Sequence, residues 1–262
     1  MTDRTASEVL FERFCADTGM PCVRLEPDSV AGRRTPDYEL RLQEPPILVE
    51  VNQIDPNPED EARLRAFADT GEYSFDGVPG DRLRGRISKA GSQLRARARP
   101  DQPTLVVVYN NVDVLRGYTD PHAVMSAMYG LYRAVITTTR GVGARIVSVV
   151  HRLGGGRSMT PEHNTRISGL AVLFDGPEGP YLVVYHNKFA AVAIRPEVLR
   201  RPRIHQRCVQ EAEEGEVSRV VRVVISACPT SRSSRPEARV ARLPAAERER
   251  WLARVSSEEA TC

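Results

Sequence analysis

The sequence lacks any run of about twenty apolar residues, so we expect no membrane span and no membrane partner. Its first ten residues, MTDRTASEVL, lack the basic, apolar and small-residue zones of a signal peptide. Together these absences predict a cytoplasmic protein. Lysine is nearly absent too: Lys89 and Lys188 are the only lysines among 37 basic residues, and the rest are arginine.

Paired cysteine motifs are also missing. No two cysteines stand in Cys-x-x-Cys spacing, which argues against a zinc site, and a cytoplasmic location argues against a disulfide framework. We therefore expect structural or incidental roles for all five. They are Cys15, Cys22, Cys208, Cys228 and Cys262.

Several catalytic signatures are absent as well. The glycine run at 154–156 lacks the Lys-Ser/Thr that follows in a phosphate-binding loop, and no nucleophile elbow or dinucleotide fingerprint occurs. The histidines stand singly, without metal-ligand spacing. His163-Asn164 and His186-Asn187 lack the surrounding pattern of His-Asn-His nucleases. The chemistry must be sought elsewhere.

The most informative stretch is residues 33–53, RRTPDYELRLQEPPILVEVNQ. Its apolar patterning predicts two strands joined by a turn at residues 44–46, with Asp37 at the head of the first strand. Glu50 lies inside the second strand, which is otherwise apolar. A carboxylate in such a run is costly to bury unpaired, so it needs a cation, a basic partner or hydrogen bonds. Two carboxylates brought together by a hairpin suit a hard divalent cation.

Pro36-Asp37, a short spacer and then Glu50-Val51-Asn52 resemble the motif of the PD-(D/E)XK nuclease superfamily. The resemblance covers residues 5–110, with weaker support to residue 190. It implies a restriction-endonuclease-like core: a helix, a hairpin that carries the acidic pair, another helix and further strands. It also implies a nuclease with Mg²⁺ or Mn²⁺ as cofactor, held by Asp37, Glu50 and the Val51 carbonyl.

The sequence departs from this pattern at Asn52, where the superfamily has lysine. Asn52 lies on the same strand face as Glu50 and can hydrogen-bond a water or phosphate oxygen, but it carries no charge and cannot act as a base at neutral pH. Some superfamily members carry the lysine on the following helix. Lys89 lies on that predicted helix, and Gln93 lies one turn later, where several branches have a glutamine. The resemblance thus implies Asp37, Glu50, Asn52, Lys89 and Gln93 as catalytic residues.

Glu8 is a candidate auxiliary acid, because the superfamily's first helix often contributes a glutamate. Its spacing from Thr5 equally suits a capping box. Ordinary structural roles exist for the other candidates too: Asp37 as a turn residue after Pro36, Glu50 as a buried partner of an arginine, and Lys89 as part of a basic helix face.

Charge is unevenly distributed between two neighbouring segments. Residues 55–81 are acidic, whereas residues 82–99 carry seven basic residues and no acid. Such a basic stripe can neutralise phosphates, or it can pair with the acidic segment before it. The candidate nucleic-acid-binding residues are Arg33, Arg34, Arg82, Arg86 and Arg97.

The pattern predicts an α/β protein, and the resemblance implies that its restriction-endonuclease-like core is a central mixed sheet flanked by helices, with C-terminal additions. We expect one domain over residues 1–228 (core 5–190, insertion 55–81), a linker or disordered segment at 229–244, and a helix and tail at 245–262. Helices are predicted near 5–19, 58–69, 82–99, 121–134 and 206–216. Strands are predicted near 22–25, 38–42, 47–53, 104–109, 144–150, 169–174 and 181–186.

The favoured function is metal-dependent hydrolysis of DNA phosphodiester bonds, in defence, restriction or repair. Cutting both strands with one site per chain would imply a homodimer. One alternative is a catalytically inactive protein of the same fold that binds nucleic acid, which Asn52 favours. Another is a protein-interaction module that uses the acidic insertion and the arginine-rich helix.

Overall fold

The computed structural model describes residues 4–26, 35–71, 77–112, 117–141, 143–209 and 225–226. All of them belong to the first of two compact units, Met1–Cys228, and the second is Pro229–Cys262. The predicted linker at 229–244 and the predicted helix at 245–262 therefore lie outside the described residues. Arg33 and Arg34 lie outside them as well.

The architecture is α/β, with a large mixed sheet flanked by helices, as predicted. The helices are α1 (Ala6–Asp17), α2 (Pro58–Thr70), α3 (Asp81–Arg97) and α4 (Pro121–Tyr129), followed by a short 3₁₀ helix, Pro196–Leu199. No helix in the described part of the chain is both long and apolar enough to cross a membrane.

Ten strands are present in the described residues. They are β1 (Cys22–Arg24), β2 (Tyr38–Leu40), β3 (Ile47–Ile54), β4 (Thr104–Asn110), β5 (Tyr132–Thr138), β6 (Ile146–Leu153), β7 (Gly169–Gly176), β8 (Gly179–His186), β9 (Ile204–Val209) and β10 (Ile225–Ser226). Eight of them form the main sheet, in the order β1-β2-β3-β4-β7-β8-β9-β10, and β5 and β6 form a separate pair.

The centre of the main sheet is parallel and its margin at β1 is antiparallel. β3 runs parallel to β4, and β4 runs parallel to β7. β1, β2 and β3 pair antiparallel, and β7 and β8 form the predicted hairpin. The apolar run of β4, TLVVVYN, is buried over its first five residues, as expected for a parallel strand covered on both faces.

Two apolar clusters cover the two faces of this sheet. One contains Phe11 and Phe14 of α1, and the other contains Leu83 and Ile87 of α3 together with Val124 of α4. The inward face predicted for α3 from Ile87, Ala90, Gly91, Leu94 and Ala98 is confirmed for the first four, which are buried, whereas Ala98 is half-buried and lies just past the end of the helix. The site described below lies on the α3 side.

Two predicted helices are wrong in part. The helix predicted to reach residue 134 ends at Tyr129, because Gly130 takes a φ of +98° and the β-branched residues after it form β5. The helix predicted at 206–216 is contradicted at its start, where residues 204–209 form β9. There, parallel pairing with β8 satisfies the backbone and overrides the local pattern.

Candidate functional site

β3 places its residues alternately on the two faces of the sheet. Val49 and Val51 belong to the cluster on the α1 side, whereas Leu48 and Ile54 belong to the cluster on the α3 side. Because side chains alternate along a strand, Glu50 and Asn52 face α3. Both are buried, each with 4% of its surface exposed. The expectation that Glu50 and Asn52 share one face is therefore confirmed.

Asp37 and Glu50 lie next to the last residue pair of the β2–β3 hairpin. β2 and β3 pair Tyr38 with Val49 and Glu39 with Leu48, so Asp37 directly precedes the last pair of the ladder and Glu50 directly follows it. The Asp37 N–H donates to the Val49 carbonyl at 3.1 Å, one residue out of the register of the ladder. Asp37 is half-buried in a bend just before β2.

The backbone of Val51 also points toward Asp37. The Val51 N–H donates to Asp37 Oδ2 at 2.7 Å. In an antiparallel pair the N–H and C=O of one residue point to the same neighbouring strand, so the Val51 carbonyl points to the β2 side as well. The carboxylate and the carbonyl named as metal ligands from the sequence thus lie on the same side of β3.

The pKa of Asp37 rises from its usual value to about 6, and burial is the largest cause. The Val51 N–H lowers it, Glu8 raises it, and Arg24 and then Lys89 lower it. Burial therefore makes the Asp37 carboxylate costly to ionise, so an added cation would favour its charged form.

Glu8 has the capping role considered from the sequence, and its charge also acts on Asp37. It is the acidic partner in the capping box of α1, where its Oε2 accepts from the Thr5 N–H at 2.7 Å. Its Oε1 accepts from Arg24 at 3.1 Å, and its charge reaches Asp37. Arg24, on β1, had no role in the sequence-based prediction, because β1 pairs with β2 across an intervening stretch of sequence, and that pairing brings Arg24 near Asp37.

α3 brings Lys89 and Gln93 to the side of the site. Lys89 is exposed, yet its charge lowers the pKa of Asp37, so the amine lies near enough to attract that carboxylate. Gln93 is partly buried. Its direct contact with the acids, like that of Lys89, stays a prediction.

Two amide groups at this site have unused hydrogen-bonding capacity. Within the described residues, the buried atoms Asn52 Nδ2 and Gln93 Oε1 have no hydrogen-bond partner. Buried polar atoms are nearly always satisfied, so each such atom needs an explanation. An open donor on Asn52, next to Glu50 in β3, suits a water or substrate oxygen, and an open acceptor on Gln93 suits a water molecule.

The residues fit a divalent cation that keeps part of its hydration. No cluster of three His, Cys, Asp or Glu side chains suited to a metal occurs in the part of the chain that the structure describes. Mg²⁺ is commonly held by one or two carboxylates with waters and substrate phosphates, and Asp37 and Glu50 meet that requirement.

A cleft of about 460 Å³ lies further along the β2–β3 hairpin. Glu39 of β2 and Leu48 of β3 line it together with Arg97, Arg99 and Gln102. Arg97, a predicted nucleic-acid contact, thus lines this cleft. Arg86, a second one, is partly buried on α3.

Arg82 already has an intramolecular role. It forms an ion pair with Asp60 of α2, donates to the Asp55 carbonyl, and stacks over the Tyr118 ring at 4.8 Å. Asp60 also accepts from Tyr118 and from the Asn57 N–H. Arg82 thus ties the acidic insertion to α3, which is the pairing of acidic and basic segments considered from the sequence.

Comparisons with protein-family models, with curated proteins and with solved structures return no significant match to this chain. What the site does must therefore be inferred from the arrangement of its own residues.

Proposed function

We propose that this protein is a metal-dependent nuclease that hydrolyses phosphodiester bonds of DNA, with a restriction-endonuclease-like core as the PD-(D/E)XK resemblance implies. The observation that carries the proposal is the pair Asp37 and Glu50. The two flank the last residue pair of the β2–β3 ladder, and the Val51 N–H is bonded to Asp37. A cytoplasmic location and a homodimer belong to the same proposal.

In this proposal, Asp37 and Glu50 hold Mg²⁺ or Mn²⁺, with the Val51 carbonyl as a further oxygen ligand. Such a cation, when bound, polarises the phosphate and stabilises the charge that develops on its oxygens. Two carboxylates and one carbonyl leave coordination positions for water and for the substrate.

The neighbouring side chains bind the phosphate and orient the attacking water. Asn52 Nδ2 donates to a phosphate or water oxygen, and Gln93 Oε1 accepts a hydrogen bond from the attacking water. Lys89 supplies the positive charge that Asn52 does not carry. Arg97, at the cleft further along the hairpin, offsets the charge of the neighbouring phosphates.

Plasmid cleavage in the presence of Mg²⁺ or Mn²⁺ tests this proposal. We expect wild-type cleavage, and its loss in Asp37→Ala and in Glu50→Ala. Asp17→Ala removes a carboxylate near the end of α1, where Asp17 pairs with Arg13, and should cleave like wild type. Calorimetric titration with Mn²⁺ gives a second readout, because the two site variants should lose binding without any substrate present.

A second candidate is a nucleic-acid-binding protein of the same fold without catalysis. Asn52 favours it, because the buried position next to Glu50 holds an amide where the resembled motif holds lysine. Binding of DNA without cleavage, unchanged in Asp37→Ala and Glu50→Ala, would support this candidate over the nuclease.

A further inference from the structure

β5 and β6 form a two-stranded arm apart from the main sheet. They pair antiparallel from Tyr132 opposite Leu153 to Thr138 opposite Ile146, with an irregularity between Thr137 and Thr138. The arm begins directly after Gly130, which ends α4, and returns at Gly154. We call residues 132–153 the β5–β6 arm.

The outer half of the arm is open on both faces. Ile146 and Val147 are consecutive in β6 and have 65% and 62% of their surface exposed. Successive residues of a strand point to opposite faces, so neither face packs against the rest of the described chain here. Ile136 of β5 is 55% exposed as well. A hairpin that stands alone is marginally stable in water, so this arm suits a binding partner.

The charge of the arm specifies the chemistry of that partner. No acidic residue occurs between Asp120 and Glu162, whereas five arginines do: Arg133, Arg140, Arg145, Arg152 and Arg157. Arg140 and Arg145 are exposed on either side of the tip and make no ion pair within the described residues. Arg133 and Arg152 occupy opposing register positions.

We propose that the β5–β6 arm binds duplex DNA through its major groove. A two-stranded ribbon fits that groove, which is about 12 Å wide, and its arginines can contact the flanking phosphates. The exposed threonines of the tip, Thr137 to Thr139, can donate to phosphates or base edges. The deep, narrow major groove of RNA duplexes does not admit such a ribbon. This inference deepens the proposed nuclease function and relies on it for the class of ligand.

The arm begins on the helix layer that covers the candidate site. The Gly154 N–H donates to the Leu131 carbonyl at 2.6 Å, which closes the base of the arm. A Cβ on Gly156 would lie 3.5 Å from Cζ of Arg84, in the first turn of α3. The same helix carries Lys89 and Gln93 further along. DNA held by the arm would therefore be anchored to the helix that borders the acids.

Fluorescence anisotropy with a labelled DNA duplex, in EDTA so that no cleavage occurs, tests the arm alone. We expect Arg140→Glu with Arg145→Glu to weaken binding about 10–100-fold and to reduce the slope of log K against log salt by about 2. Arg195→Glu with Arg200→Glu changes the net charge equally at another exposed place and should change affinity less than about threefold. An RNA duplex of the same sequence should bind more weakly and respond less to the arm variant.

Equal loss of affinity in both double variants, or equal binding of DNA and RNA, would overturn the proposal. A wild-type protein that binds no duplex would also overturn it. So would a dimer that dissociates in the Ile136→Ser, Ile146→Ser variant, measured by light scattering, because the arm would then be a contact between two copies of the chain. Should the charge reversal unfold the protein, Arg140→Gln with Arg145→Gln provides a milder variant. If the arm is needed for DNA binding but the protein does not cleave DNA, the nuclease proposal is refuted and the proposed DNA-binding role of the arm still stands.

Discussion

The Val51 N–H is bonded to Asp37 Oδ2 at 2.7 Å, so β3 continues to bind the β2 side after the backbone ladder has ended. This bond fixes the Asp37 carboxylate beside the strand that carries Glu50. It does not fully offset burial, which still raises the pKa of Asp37 to about 6. The carboxylate is therefore held in place at a cost to stability.

Asp37→Asn should stabilise the metal-free protein above pH 6 while abolishing cleavage. The folded pKa of about 6 exceeds the usual 3.8, so the wild type loses stability as pH rises between those values and carries the full cost above them. Asparagine keeps an acceptor for the Val51 N–H without the charge. Denaturant unfolding in EDTA should show a gain of about 1–2 kcal/mol at pH 7.5 and almost none at pH 4. A less stable variant at pH 7.5 would contradict this.

Asp60→Asn should have the opposite effect on stability. Burial alone would raise the pKa of Asp60, but hydrogen bonds from Tyr118, the Asn57 N–H and Arg82 lower it overall. Removing this charge leaves the partly buried Arg82 guanidinium without its carboxylate. We expect a loss of about 2–4 kcal/mol at pH 7.5, measured by the same unfolding experiment. If Asp37→Asn and Asp60→Asn change the free energy of unfolding by the same amount and sign, burial does not raise the pKa of Asp37 as described.

Lys89→Ala should reduce cleavage about 100-fold with little effect on folding. Lys89 is exposed, so we expect its removal to change the free energy of unfolding by less than about 0.5 kcal/mol. Lys188→Ala is the matched control, because it removes the only other lysine, whose amine lies 4.7 Å from the Phe189 ring centre. Single-turnover cleavage of a labelled duplex measures both. Equal activity of Lys89→Ala and wild type would exclude Lys89 from the site.

Two glycines of α3 should respond oppositely to alanine. A Cβ on Gly85 meets nothing within 4 Å, so Gly85→Ala should stabilise the helix by about 0.5–1 kcal/mol. A Cβ on Gly91 would lie 2.6 Å from Asn164 Oδ1, and Gly91→Ala should destabilise the protein by about 1–3 kcal/mol. Thermal unfolding measures both. Because Gly91 lies between Lys89 and Gln93, its variant should also reduce cleavage.

The sequence predicts β3, α3 and the β2–β3 hairpin well, because local patterning dictates each of them. The apolar run and the proline turn specify the hairpin, and the helical spacing of Ile87, Ala90 and Leu94 specifies the face of α3. The position of Arg24 is different, since it depends on the pairing of β1 with β2, which are separated by a stretch of sequence. Sequence spacing carries no information about such a contact.

The sequence does not predict the first strand of the arm, for another reason. Apolar residues at helical spacing continue from Val124 through Met128 to Leu131, so the pattern alone extends α4 past its true end. Gly130 is the one local sign that the helix ends. A glycine is required there for two reasons: its φ is positive, and a Cβ would lie 2.6 Å from the Gly154 carbonyl oxygen. β9 likewise forms where β8 offers a parallel partner, which no local pattern reveals.

The closure of the arm at Leu131 and Gly154 has an evolutionary consequence. The two ends of the segment are joined by a hydrogen bond before the arm departs, so the core does not need the arm to close its own chain. Residues 132–153 can then be lengthened, shortened or exchanged while β3 and α3 keep their places. The arm and the core that carries β3 and α3 can therefore change independently during evolution, although one gene encodes both.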